Sequence, residues 1–206
     1  MLDTDAVGEI TQAVIEEPTF ASGLWTEAEI LTYMNLRQYR FLKATRVIAA
    51  TAIVPWVPGQ PEHDLPADWI DTVTARWHSF ADETWVPIPA SDSFELDHLT
   101  PETALTVLPP QGYRDSDLET LRIALGPAPT APGELEIVYV ALSPLLDGSG
   151  IPFEIPDMFG PYLKYGVLAD MLAKEGRGQD LLRARYCEQR FEEGLALASA
   201  LLDGFA

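Results

Sequence analysis

The clearest periodic signal in the first half of the chain starts at a capping box. In Thr26-Glu27-Ala28-Glu29 the Thr26 hydroxyl is placed to accept the N–H of residue 29, and the Glu29 carboxylate to reach back to the N–H of residue 26. Trp25 and Ile30 stand where a hydrophobic staple closes over such a cap. From there Ile30, Met34, Arg37/Gln38, Phe41 and Thr45 step by three and four, which predicts a helix over about 26–45. Residues 1–23 carry a weaker helical pattern (Val7, Ile10, Val14) that stops at Pro18, and read as an N-terminal arm or short helix.

The period then changes. Residues 46–58 are β-branched and then punctuated by proline, and Pro55, Pro58, Pro61 and Pro66 exclude a helix there. Residues 69–78 alternate as a half-buried strand does, and 84–88 have strand composition. Segment 91–99 opens with cap-type residues and predicts a short helix. Two more strands are expected at 119–125 and 134–142, joined by a hairpin-like link over Gly126–Gly133. Strands with no helices between them predict an antiparallel sheet within a β insertion over about 46–144.

Helical periodicity returns at the end. Met158, Tyr162, Tyr165, Ala169 and Leu172 form one stripe of a helix over 157–175, flanked by Phe159, Leu163 and Val167. Pro161 falls in its first turn and Gly176 is placed to end it. A last helix over about 179–202 has Ala184, Cys187, Phe191, Leu195, Ala198 and Leu202 on its apolar stripe. The two make an antiparallel hairpin. The expected class is therefore α+β: a helical bundle of the capped helix and the C-terminal hairpin, an inserted antiparallel sheet, and one domain over 24–206.

Charge sharpens this picture. Against 13 Lys+Arg stand 32 Asp+Glu, a net charge of -19. That excludes gripping nucleic acid through its phosphates as a whole-chain property, and it disfavours an anionic membrane. Cys187, the single cysteine, has no internal disulfide partner. The acidic start Met1-Leu2-Asp3-Thr4-Asp5 lacks the order of a signal peptide, and no apolar stretch approaches the ~20 residues that span a bilayer. The expectation is a cytoplasmic product without export.

Candidate chemistry is sparse. His63, His78 and His98 lie far apart without metal-ligand spacing, and each reads as a structural or surface residue. Cys187, on an apolar stripe, reads as a buried small hydrophobe. Gly148-Ser149-Gly150 is a turn rather than a nucleophile elbow, and Glu175-Gly176-Arg177-Gly178 is the hairpin turn rather than a phosphate loop. The acid pairs Glu16/Glu17, Asp82/Glu83, Asp115/Asp117 and Glu192/Glu193 are what 32 acids produce by chance, so a solvated face is the simpler reading. Trp56, Trp69, Trp77 and Trp85 suggest a sugar platform, but alternating strand positions favour core anchoring. No catalytic, cofactor-binding or metal-binding residue is expected.

From about residue 24 to 202 the chain resembles the head-to-tail adaptor (neck) proteins of tailed bacteriophages, including the tail-tubular-A type. The capped helix from Trp25, with Tyr33 and Asn35, resembles that family's opening helix. His63-Asp64-Leu65-Pro66-Ala67-Asp68-Trp69-Ile70 is similar to its "dLPaDf" lead-in to a strand, the most specific piece. Phe94-Glu95-Leu96-Asp97 resembles a short helix, and Leu121–Pro127 with Gly133–Pro144 resembles paired strands ending in proline. Ile155-Pro156-Asp157 through Gly176 and Asp180 resembles the closing hairpin. The resemblance implies a structural virion subunit: one of commonly twelve copies in a ring between the portal protein and a tail or nozzle protein. The ring would line a channel through which the genome DNA passes unbound. On that reading an acidic lumen repels phosphates, and the scarce bases Arg177, Arg183, Arg185 and Arg190 bridge to acids of the same or adjacent subunit. Leu201, Leu202 and Phe205 would dock the chain's end on the portal. The alternatives are an acidic carbohydrate-active enzyme and a monomeric binding module.

Overall fold

The computed structural model describes residues 1–15, 24–81, 84–92, 109–115, 121–176 and 178–203. Among them it is a mixed α+β protein whose chain divides into two compact units, Met1–Ile48 with Leu142–Ala206, and Ala49–Ala141. The expected helix at 91–99 falls almost wholly outside the described residues.

The first unit holds α1 (Asp3–Ile15), α2 (Glu27–Thr45), a 3-10 turn (Asp157–Phe159), α3 (Gly160–Ala173) and α4 (Leu181–Asp203). The capping box is present: the Glu29 N–H donates to Thr26 Oγ1 at 3.2 Å, and the Thr26 N–H to Glu29 Oε2 at 3.0 Å. Every position of the expected α2 stripe is buried, Arg37 and Gln38 included. The helix closes at Arg46, left-handed at φ 53°, whose N–H returns to the Leu42 carbonyl at 2.8 Å. α2 packs on α3 and α4, and α3 on α4. Glycine lets them approach closely: a Cβ at Gly166 would lie 2.8 Å from the Phe191 ring, and one at Gly194 would overlap Tyr162. Pro161 sits in the first turn of α3, which starts at Gly160; residues 157–159, expected within the helix, form the 3-10 turn before it.

The second unit holds β1 (Ala49–Trp56), β2 (Glu62–Asp64), β3 (Trp69–Ser79), β4 (Trp85–Ile88), β5 (Gly112–Asp115), β6 (Arg122–Gly126) and β7 (Gly133–Ala141). They make two antiparallel sheets where one was expected, in the orders β1-β7-β3-β4 and β2-β6-β5. The hairpin-like reading of Gly126–Gly133 is therefore corrected. β6 and β7 lie in different sheets, so the strands at 121–127 and 133–144 are not paired with each other. The physical reason is in the link. Pro127, Pro129 and Pro132 have no N–H to close a tight turn, and the Pro129 carbonyl instead takes the Gly59 N–H at 2.9 Å. The chain crosses from one sheet to the other. Between the sheets lie Trp56, Trp77, Ile123, Leu125, Leu135 and Ile137, all nearly or fully buried. Trp56 and Trp77 meet edge to face, with ring centroids 6.4 Å apart.

Candidate assembly surfaces

α4 is positioned by Asp180, whose Oδ1 accepts the N–H groups of Leu182 at 3.1 Å and Arg183 at 3.0 Å. Its inward stripe, Ala184, Cys187, Phe191, Leu195 and Ala198, is buried. Burial pushes the Cys187 thiol up, which suits a packed side chain and not a nucleophile. The outward side is unusual. Leu182 is 80% exposed, and Tyr186, Leu197 and Leu201 are exposed as well. Between these apolar ends Arg190 pairs with Glu193 at 2.7 Å, donates from Nε to the Tyr186 hydroxyl at 3.1 Å, and lies over the Tyr186 ring. The Tyr186 hydrogen bond, followed by the Glu193 bond, holds the Arg190 guanidinium above its usual range.

The other residues of the expected interface fall in different places. Arg183 is half-buried and engaged; Arg185 is exposed, with no ion pair among the described residues. Leu202 lies in α4, but its side chain, together with Arg177 and Phe205, lies outside the described residues.

Sequence reasoning missed the main ionic network. Arg37, with a side chain 8% exposed, donates from Nε and Nη2 to the two Asp170 oxygens at 2.6 Å and approaches Glu188 at 2.7 Å. Arg40 bridges Glu188 at 2.8 Å and Glu192. Both guanidinium groups lie over the Phe191 ring, at 4.9 and 5.4 Å from its centroid. Burial alone would pull the Arg37 pKa down; the Asp170 hydrogen bonds and the charges of Asp170 and Glu188 outweigh it, so the pKa is raised. The signal was available, because a base on an apolar helix stripe requires an acid on the helix it faces. Asp3 is a second missed residue. It is fully buried and accepts N–H groups from Thr4, Gly148 and Gly150 at 2.7–3.0 Å, tying the start of α1 to the 147–151 loop. Eight of the thirteen Lys and Arg side chains sit in ion pairs within the described part of the chain. Few bases are left over to meet a neighbour.

Nothing described converges on a reaction. A cavity of about 300 Å³ opens between Glu9, Ile10, Pro161, Lys164, Tyr165 and Leu168, and its two charged side chains pair with each other. Of the acid pairs, Glu192 is held by Arg40 and Glu193 by Arg190; Glu16/Glu17, Asp82/Glu83 and Asp117 are outside the described residues, as is His98. His63 packs against Trp56 and burial lowers its pKa, while His78 stacks on Trp85 at 4.8 Å. Trp56, Trp69 and Trp77 anchor the core, and Trp85 is partly exposed. Asp115 is the perturbed group: burial raises its pKa to about 6, against hydrogen bonds from Thr72 that lower it. Among the described residues no group of three His, Cys, Asp or Glu could hold a metal, and no helix is long and apolar enough to cross a membrane.

What the surfaces offer is contact, and comparison agrees. The sequence profile of the SU10 adaptor protein matches residues 5–204. The chain belongs to the SU10 adaptor family. Members are structural adaptors of the phage neck, joining portal and tail components in the virion, and the family is not one of enzymes. No curated protein matches the chain.

Proposed function

We propose that this adaptor forms a ring of twelve copies beneath the portal and lines the channel by which DNA leaves the capsid. Residues 24–206 would be the domain built into the ring, with helices bundled around the capped α2 and the sheets as an insertion. The first 23 residues would be its arm. Assembly would take place in the host cytoplasm before the virion is complete. The observation that carries this reading is the distribution of charge. The bases are largely spent on acids of their own chain, so the 32 acids leave a surface that repels phosphate and lets DNA pass without sticking. The apolar ends of the outward α4 stripe, with Leu201, supply area for docking on the portal. Arg185, exposed and unpaired among the described residues, is a base free to meet an acid of an adjacent copy, while Arg190 is locked within its own chain. Electron microscopy of the full chain mixed with isolated cognate portal rings tests the proposal. A closed collar of added density is expected, and rings that stay bare would refute it.

A further inference from the structure

Two copies of this chain repel each other, since each carries a net charge of -19. A basic partner is drawn to an acidic surface; a second acidic copy is driven to where acids are absent. The longest run without an acid or a base is the fifteen residues 47–61, VIAATAIVPWVPGQP. Its centre is β1, at one edge of the four-stranded sheet.

The register shows which backbone groups this edge turns outward. In an antiparallel ladder the N–H and C=O of one residue point to the same side, and the side alternates along the strand. Pro55 stands opposite Glu134 and has no N–H, so it belongs to the set that faces away from β7. The β1–β7 register runs from Ala49 to Trp56 without a shift, so Ala49, Thr51 and Ile53 face outward with it. Among the described residues no backbone hydrogen bond reaches their outward N–H and C=O groups. Their side chains are exposed too, Ile53 at 55%.

The opposite edge is closed. Pro87 stands opposite Arg76 on β3, so its missing N–H is on the outer side of β4. Two residues on, the Pro89 carbonyl is already taken by the Tyr113 N–H at 3.0 Å, and the Ser91 N–H by the Tyr113 carbonyl at 2.8 Å. Proline, charge or a covering segment is how sheet edges are kept from pairing. β4 uses two of these. β1 has no charge and no bulge, and only one proline near its end.

We infer that the outer edge of β1 receives a strand from a second copy of this chain, hydrogen-bonded to Ala49, Thr51 and Ile53. This rests on the ring reading above. Because a ring closes only through unlike surfaces, the added strand is not the neighbour's own β1.

The test uses the full chain on portal rings. Thr51→Pro removes an N–H that points away from β7 and so spares the fold; Ile53→Glu keeps every donor but sets a charge on the edge. Each variant should need at least about tenfold more protein than wild type to fill the collar, with an unfolding midpoint within a few degrees of wild type. The Thr51 and Ile53 amides should exchange hydrogen at least about tenfold more slowly in the collar than in the free chain. Collars formed at the wild-type concentration by both variants overturn the strand addition and leave the ring reading standing. No collar from wild type overturns the ring reading, and the strand addition with it.

Discussion

In the helical unit the buried Arg37 guanidinium meets Asp170 through two bonds at 2.6 Å and Glu188 at 2.7 Å. In the sheet unit the Asp115 carboxyl takes hydrogen bonds from Thr72, but its buried Oδ1 has no partner among the described residues and Asp71 lies near it as a second negative charge. Both units take a charge out of water, and only the first compensates it. The difference follows from the elements. Parallel ridges of neighbouring helices can bring long side chains into register across an interface. Asp115, at the last residue of a four-residue strand, is met among the described residues by Thr72 of β3. A compensated charge fixes how elements pack; an uncompensated one makes stability depend on pH.

Arg37→Leu should be the most damaging change. It strands the Asp170 carboxylate against an apolar side chain and leaves Glu188 to Arg40 alone, and breaking such a pair from one side costs about 3 kcal/mol, or roughly 6–12 °C in unfolding midpoint. Calorimetry of the variant decides. A loss below about 1 kcal/mol would mean that water relieves Asp170. Gly166→Leu should come next, at about 2 kcal/mol, because the side chain must displace the Phe191 ring and the Arg37 stem that lie 2.8 and 3.0 Å from its Cβ. Gly8→Leu, where no atom lies within 4 Å, should lose nothing, since leucine favours a helix more than glycine does; a matching loss there would show that close packing is not what Gly166 protects.

Much of the helical unit was readable because its signals are local. The capping box needs four residues, and the α2 stripe needs only the 3.6-residue period. Pairing of strands is not local. Alternation marked β3 well, and the prolines of Gly126–Gly133 disfavour a tight turn, yet they do not say which sheet each flanking strand joins; that is decided by distant partners such as His63 opposite Ile123 and Ala52 opposite Ile137. The candidate surface divides in the same way. Leu201 enters from the sequence only through the family resemblance, as part of an apolar chain end; its exposure on α4 comes from the structure. Which base is spent inside the chain depends on helices far apart in sequence, so Arg37 and Arg40 were overlooked while Arg190 was noticed.

Asp115→Asn sharpens the contrast with Arg37, for here removing a charge should stabilise. The folded carboxyl titrates near 6, above its ordinary 3.8, so the folded state holds the proton more tightly than the unfolded chain does. Stability therefore falls as pH rises through the window from 3.8 to about 6, and the penalty stands in full at neutral pH. Asn keeps an acceptor for Thr72 without the charge. Its gain should be about 1–2 kcal/mol at pH 7 and should vanish near pH 4. Denaturant melts at the two pH values read this directly, and a gain that is equal at both would locate the benefit elsewhere than in ionisation.

The smallest expected effect separates local from tertiary stabilisation within the helical unit itself. Thr26→Ala removes the acceptor for the Glu29 N–H and should cost about 1 kcal/mol, the ordinary worth of a helix N-cap; Thr26→Ser, which keeps the hydroxyl, should cost little. Glu29 is tied to Lys174 as well, and that side-chain bond, before the Thr26 contacts, holds its carboxyl below the usual range. A depressed carboxylate stabilises above its unfolded pKa and loses that contribution as pH falls through the folded one. The cap and the Lys174 bridge share one carboxylate but not one mechanism. Acid should weaken the bridge in wild type and in Thr26→Ala alike, while the hydroxyl–amide bond at Glu29 persists in wild type whatever the charge. The difference between the two proteins should therefore shrink only by the small share of the Thr26 hydroxyl–Glu29 carboxylate contact as the pH falls from 7 to below 4.5. If it grows as the pH is lowered, the cap and the bridge hold α2 as one coupled unit rather than two separate supports.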